Sequence, residues 1–170
     1  NERKTSIRFT NYKIIKGERM KKKTVAVSGG MDPIHVGHVR MILAAADVGD
    51  VIVILNSDEW LKTKKGYCFM TWEERAEIIR SIRGVVSVVN TIDEVDNTVC
   101  NTLRNLKKDV DLDYFANGGD RTMTTTPEMK VCEEVGIKML WNVGGGKIQS
   151  SSTLVNKTVW GKRRHNGCEF

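Results

Sequence analysis

The sequence predicts an α/β protein: a single-domain, doubly wound, parallel five-stranded sheet of Rossmann-like type. Three observations predict it. Five short apolar runs alternate with amphipathic segments across residues 24–157, the pattern of strands joined by crossover helices on both faces of a sheet. The second run, 51–56, is a continuous β-branched stretch, as expected of a strand buried on both sides. The first run ends in a glycine-rich turn just ahead of a helical pattern, and in such sheets ligands collect beyond the C-terminal strand ends.

The elements follow in order. Residues 24–28 read as the first strand and 36–48 as the first helix. Residues 51–56 form the second strand, and Lys62, Lys64 and Lys65 then sit in a basic loop that ends at Gly66. Thr71-Trp72-Glu73-Glu74 has the Ser/Thr-x-x-Glu form of a capping box. It opens a helix to about Arg83, and Gly84 stops it. Residues 85–90 are the third strand, and Asp96 caps a helix through Lys107. A short fourth strand spans 112–116; Pro127 and Glu128 then start a helix that ends near Gly136. The fifth strand is 137–143, followed by the loop Gly144-Gly145-Gly146 and a last helix capped by Ser150 or Ser151 and running to about Asn156.

The net charge of +6 over 170 residues is unevenly spread. Residues 1–23 hold nine of the 27 Lys/Arg and two of the 21 Asp/Glu, a net of +7, which leaves 18 basic and 19 acidic residues, a net of −1, for the rest. Basic character belongs to the end of the chain and not to the domain. Residues 1–23 are therefore read as an N-terminal extension and 158–170 as a C-terminal tail. Met20-Lys21-Lys22-Lys23 ahead of a strand reads as a natural start of translation, which makes 1–19 an upstream or appended segment. A basic arm suits nucleic acid or an anionic membrane, but a solvated tail is the simpler reading, and neither partner is expected. No apolar run approaches the ~20 residues that span a bilayer, and the N-terminus shows no secretory h-region. Cys68, Cys100, Cys132 and Cys168 lie far apart, without any CxxC spacing. They read as free thiols of a cytoplasmic protein, with no structural zinc site.

The chemistry concentrates in Gly29-Gly30-Met31-Asp32-Pro33-Ile34-His35-Val36-Gly37-His38. Glycines let the backbone approach an anion, and a helix N-terminus supplies free N–H donors and a positive dipole end. Two of the chain's three histidines stand three apart at that helix start, on one face, where both imidazoles can address one ligand. The bland alternative is a pair of capping or packing histidines. Asp32 reads equally well as a residue that orients the turn or as a metal ligand. Ser150, Ser151 and Ser152 put hydroxyls and free N–H groups at another helix start, an anion site by construction. Arg75 reads either as a surface residue or as a partner for an acceptor phosphate. Trp60, Trp72 and Trp141 read as packing residues.

This set of segments resembles the HxGH nucleotidylyltransferase superfamily. It is most similar to the cytidylyltransferase-like branch, with its glycerol-3-phosphate cytidylyltransferases and heptose-phosphate adenylyltransferases. The resemblance rests on four matches in order: the Gly-Gly-x-Asp-Pro-x-His-x-Gly-His run, Ile54-Leu55-Asn56-Ser57-Asp58, Ala116-Asn117-Gly118-Gly119-Asp120, and Ser150-Ser151-Ser152-x-Leu154. It implies a nucleotidylyltransferase domain over 24–157 that transfers CMP or AMP from CTP or ATP to a sugar or polyol phosphate, with Mg²⁺. It further implies catalytic roles for His35, His38 and Lys65. Nucleotide contacts are implied for Gly29, Gly30, Met31, Lys62, Asn117, Gly119, Asp120, Lys147, Ser150, Ser151 and Ser152, with Asp120 also a metal ligand. A homodimer is common among relatives. The alternatives are an adenylyltransferase for a flavin, pantetheine or nicotinamide nucleotide precursor, a non-catalytic nucleotide-binding module, and a nucleic-acid binder that uses the basic arm. The chain departs from the usual pattern around Gly144-Gly145-Gly146-Lys147 and Gln149, where the base is expected to be read.

Overall fold

The computed structural model describes residues 22–93, 95–119, 121 and 126–157. The expectations for the N-terminal extension before residue 22, for Asp120 and for the tail 158–170 lie outside these residues. Five strands form one parallel sheet: β1 (Thr24–Gly29), β2 (Asp50–Leu55), β3 (Val85–Asn90), β4 (Tyr114–Ala116) and β5 (Lys138–Leu140). Between them lie α1 (Val36–Val48), α2 (Asp58–Lys65), α3 (Trp72–Arg80), α4 (Cys100–Val110) and α5 (Glu128–Val135). Residues 151–157 are again helical.

The strand order is β3-β2-β1-β4-β5. The chain runs outward from β1 to β3, then returns to the other side of β1. The switch point therefore falls between β1 and β4, and the loops that leave these two strands part to opposite faces, opening a crevice at the C-terminal edge.

Two apolar layers sandwich the sheet, and strand periodicity assigns them. Val25, Val27, Val51, Val53 and Leu55 face α1 and α3, where they meet Ile42, Ala45, Ala76 and Ile79. Ala26, Ile52, Ile54 and Phe115 face α4 and α5, where they meet Leu103, Leu106 and Cys132. Because β1 and β2 are covered on both faces, their runs are apolar throughout, as the sequence suggested.

The boundaries differ from expectation in five places. Strand β4 begins at Tyr114 and not at 112, because the Asp113 N–H turns to the Thr24 hydroxyl at 3.1 Å instead of a ladder partner. Lys62, Lys64 and Lys65 lie in the last turn of α2 and not in a loop; Gly66 ends that helix in the left-handed region, and three cations suit the negative end of its dipole. Helix α3 stops at Arg80 because the chain tightens, with the Ile82 N–H turning back to Ile79 O at 3.0 Å. Helix α4 begins at Cys100, since Asp96 spends its carboxylate on the N–H and hydroxyl of Thr98. Strand β5 is short because its partner β4 has three residues, and the Val143 N–H reaches Asn117 O instead of a ladder partner.

Candidate active site

The turn after β1 is braced before it is functional. Asp32 is fully buried and accepts the Phe69 N–H at Oδ2 (2.8 Å) and the Met70 N–H at Oδ1 (2.7 Å). Each oxygen holds one backbone N–H of the loop between α2 and α3, which is the orienting role. Arg75 is fully buried too, so it is neither a surface residue nor an acceptor contact. Its guanidinium donates to Gly30 O (2.6 Å), Asn56 O (3.0 Å), Met70 O (3.0 Å) and Asp58 Oδ1 (2.5 Å). Burial alone pushes the Asp58 carboxyl up, but the Arg75 guanidinium and the Trp72 N–H overcome it and hold the group below its ordinary value.

His35 and His38 stand at the start of α1 as a reciprocal capping box. The Gly37 N–H donates to His35 Nδ1 at 3.1 Å, and the His35 N–H donates to His38 Nδ1 at 3.3 Å. The rings stack with centroids 3.7 Å apart. A nitrogen that accepts a hydrogen bond carries no proton, so in each neutral imidazole the proton sits on Nε2. Gly37 leaves room for this pair: a Cβ there would lie 2.9 Å from His35 Cε1. Burial, then the charges of Lys65 and Lys147, lower the His35 pKa. Burial, then His35 and Lys65, lower that of His38 to about 3. Both rings are therefore neutral Nε2–H donors at pH 7.

A cleft of about 260 Å³ opens beside them, lined by His35, His38 and Lys65, by Gly118 and Gly119 after β4, and by residues 143–152. Lys65 is half-buried, and its ammonium is fixed by Asp32 O at 3.0 Å. Ser151 is buried, and its hydroxyl donates to Pro33 O at 2.9 Å, tying the last helix to the histidine loop. Ser150 caps that helix, its Oγ accepting the Thr153 N–H at 3.1 Å. Ser152 and Lys147 are exposed at the cleft wall. Gly144, at φ 82, lets the loop rest on α1, since a Cβ would meet Met41 Cα at 2.7 Å.

The structure thus gathers His35, His38, Lys65, Gly119, Lys147, Ser150, Ser151 and Ser152 around one space. Gly29, Gly30, Met31, Lys62 and Asn117 are not among its walls. Met31 packs in the core, and Gly30 gives its carbonyl to Arg75. Lys62 is exposed and pairs with Glu59 at 2.6 Å. Asn117 is buried; its backbone bridges Leu140 O and the Val143 N–H. Met41, Val143 and Ile148 line the cleft without having been expected there; an apolar side chain gives no sign in the sequence of bordering a ligand rather than a core. Asn56-Ser57-Asp58 turns out to be structural: Ser57 caps α2 through the Trp60 N–H, and its neighbours hold Arg75. Burial pushes the thiols of Cys68 up to about 11 and Cys132 up to about 12, so neither serves as a nucleophile.

Comparison with known proteins places the chain in a family. The profile of the cytidylyltransferase-like family matches residues 26–155. An FAD synthase of Pyrococcus abyssi is 34% identical over 68% of this chain and 75% of its own length. The bifunctional protein HldE of Syntrophotalea carbinolica is 30% identical over 78% of this chain, which spans only 26% of that protein. The fold is shared with a lipopolysaccharide core biosynthesis protein of Thermoplasma volcanium: TM-score 0.56, 15% identity, 71% of this chain and 96% of that one.

Two outcomes are expected. Replacing Arg75 by Met leaves three carbonyls and Asp58 without their buried partner; it should cost roughly 3 kcal/mol or more in urea unfolding. The second concerns pH. The unfolded imidazole of His38 takes a proton near its ordinary pKa of 6.5, whereas the folded one does so only near 3. Stability is therefore present above pH 6.5 and lost as pH falls below it. The lowered carboxyls of Asp58 and Asp113 act only below their ordinary 3.8. From His38 alone, unfolding free energy should fall by roughly 1.6 kcal/mol between pH 6.5 and 5, and the lowered pKa of His35 adds to the fall. His38→Gln, which keeps a capping-box side chain, should flatten that slope; an unchanged slope would place the titration elsewhere.

Proposed function

This chain belongs to the cytidylyltransferase-like family of nucleotidyltransferases, and we propose that it joins the nucleoside monophosphate of CTP or ATP to a phosphorylated small acceptor with release of pyrophosphate. The observation that carries the proposal is the stacked pair of neutral Nε2–H donors in one cleft with a fixed lysine and a helix start. In this reaction a phosphate oxygen of the acceptor attacks the α-phosphorus. The bond from the α-phosphorus to the bridging oxygen breaks, and its electron pair leaves with pyrophosphate. The nucleophile is already an anion, so no strong base is needed. What the site must supply is charge stabilisation set in place beforehand.

His35 and His38 are placed to donate to oxygens of the transferring phosphoryl group. A neutral donor binds charge without having to release a proton afterwards. Lys65 adds a cation held by Asp32 O. Lys147, Ser152 and the free N–H groups at the start of helix 151–157 suit the leaving phosphates. Among the described residues, no group of three or more His, Cys, Asp or Glu offers a metal site. The described side chains thus do not form a magnesium cage; magnesium, bound together with the triphosphate, would neutralise part of its charge.

Two acceptor classes have support. Similarity to HldE proteins and the heptose-type sequence matches support a sugar or polyol phosphate. Similarity to FAD synthases over most of their length supports flavin mononucleotide. The unpaired Cys68, Cys100 and Cys132 fit a reducing, cytoplasmic setting.

The test is pyrophosphate release with Mg²⁺, each of the four nucleoside triphosphates, and a panel of sugar phosphates, polyol phosphates and flavin mononucleotide. Turnover with one triphosphate and one acceptor class is expected. Failure of every pair, with no triphosphate raising the melting temperature, would overturn the proposal. In the productive pair, His38→Ala should lower kcat by ~10²-fold while the folded state persists.

A further inference from the structure

Glu128, the first residue of α5, takes no part in the steps above, yet it is only 2% exposed. Its two oxygens have different surroundings. Oε1 accepts the Val99 N–H at 3.1 Å, at the start of α4, a helix with no side-chain cap of its own. Oε2 is buried and takes no hydrogen bond among the described residues; it faces Arg121 Nη1 at 3.7 Å. The other buried carboxylate at this end of α4, Asp93, gives its Oδ2 to the N–H and hydroxyl of Thr102. Arg104, further along α4, is engaged by Glu134 at 3.0 Å. Arg121 is thus the cation paired with Glu128.

Arg121 does not line the cleft itself but is tied to its wall. Its N–H donates to Gly118 O at 3.2 Å and closes the turn whose Gly118 and Gly119 form part of the cleft wall. Gly119 packs its backbone closely on the loop 142–146, where an added Cβ would lie 2.6 Å from Gly145 O, and the residues that flank the two glycines hold the turn at its ends. On one side, Asn117 pairs with Leu140 O and with the Val143 N–H through its backbone. On the other side, the contact is the guanidinium of Arg121 against a buried carboxylate. A carboxylate taken out of water with one oxygen unsatisfied draws the nearest cation strongly, while the half-exposed arginine keeps the link adjustable.

We propose that Glu128 is a positioning residue for the nucleotide cleft: its buried carboxylate holds Arg121, and through it the Gly118–Gly119 turn, against the start of α4. The inference rests on the nucleotide reading of the cleft given above. Glu128 does not touch substrate. It sets the wall that does, so its loss weakens triphosphate binding and leaves the chemical step intact.

The experiment compares the full chain with Arg121→Met, Glu128→Gln and the double variant. Binding of ATP and CTP is measured by calorimetry, and KM and kcat by pyrophosphate release. Gln keeps an oxygen for the Val99 N–H and removes the charge, and the half-exposed Arg121→Met serves as the second arm if Glu128→Gln folds poorly. Each single variant should raise the triphosphate Kd and KM by about fivefold with kcat nearly unchanged, and the double variant should add nothing further. Arg121→Lys should recover most of the loss. Wild-type affinity in Arg121→Met, or a double variant whose loss is the sum of the two singles, would overturn the latch and leave the nucleotide reading standing. If the unaltered chain binds neither ATP nor CTP, the nucleotide reading falls and the latch falls with it.

Discussion

Two buried ions fix the C-terminal edge of the sheet, and the cleft is built on them. Asp32 grips the loop between α2 and α3 by its N–H groups, and Arg75 grips the same loop by the Met70 carbonyl. Arg75 also takes carbonyls from the ends of β1 and β2 and the carboxylate at the start of α2. Each of these carbonyls ends a strand or turns a loop, so none has a partner in the sheet ladder. A guanidinium has five donors in a fixed fork, which lets one side chain satisfy four acceptors from four segments. A lysine has neither the reach nor the geometry to replace it. The cost of desolvating the charge is offset by the carboxylate of Asp58 and by three carbonyls that have no other partner in the sheet ladder.

From that frame the electrostatics of the cleft follow. Asp32 spends its carboxylate on two N–H groups but leaves its carbonyl outward, and that carbonyl holds Lys65. Lys65 and Lys147 then lower the neighbouring imidazoles by their charge, in addition to burial. The cleft is therefore lined with cations and neutral donors and has no described carboxylate on its wall. An anion entering it replaces a repulsion between cations with attraction to both. The stacked histidines do not compete for the proton they would need to repel each other. Their Nδ1 atoms are occupied by the backbone, so the donors that remain are aimed by the helix start and not by side-chain freedom.

How much of this was legible in the sequence depends on how local the cause was. Strands β1 and β2 were readable because burial on both faces writes an unbroken apolar run. The capping box at Thr71 was readable because both of its partners lie within four residues. The start of α4 was not: its N–H groups are met by Asp93 and by Glu128, the latter 29 residues away. Asp96, next in sequence, offered the more obvious cap. Arg75 looks like surface or ligand chemistry in the sequence and Asp32 only half declares its orienting role, because a charged residue is buried only when distant segments bring it partners. The histidines and serines were identified as a set because a helix start is itself a local signal. Their convergence is a property of the sheet order.

The lysines of α2 show the same division most clearly. Lys62, Lys64 and Lys65 are one basic cluster in sequence, and charge alone cannot rank them. On the helix, Lys62 is three residues after Glu59 and is captured by it; a pair at that spacing forms on any exposed helix. Lys65 is the last residue before Gly66 turns the chain, so its stem leaves the helix end toward the β1 loop and not along the helix surface. What separates a solvated cation from a cleft cation here is the end of a helix. That end is set by a glycine able to adopt the left-handed conformation, and a single carbonyl of Asp32 stands within reach of it. The same carbonyl belongs to the residue that braces the loop, so the position of the cation and the rigidity of the frame have one cause.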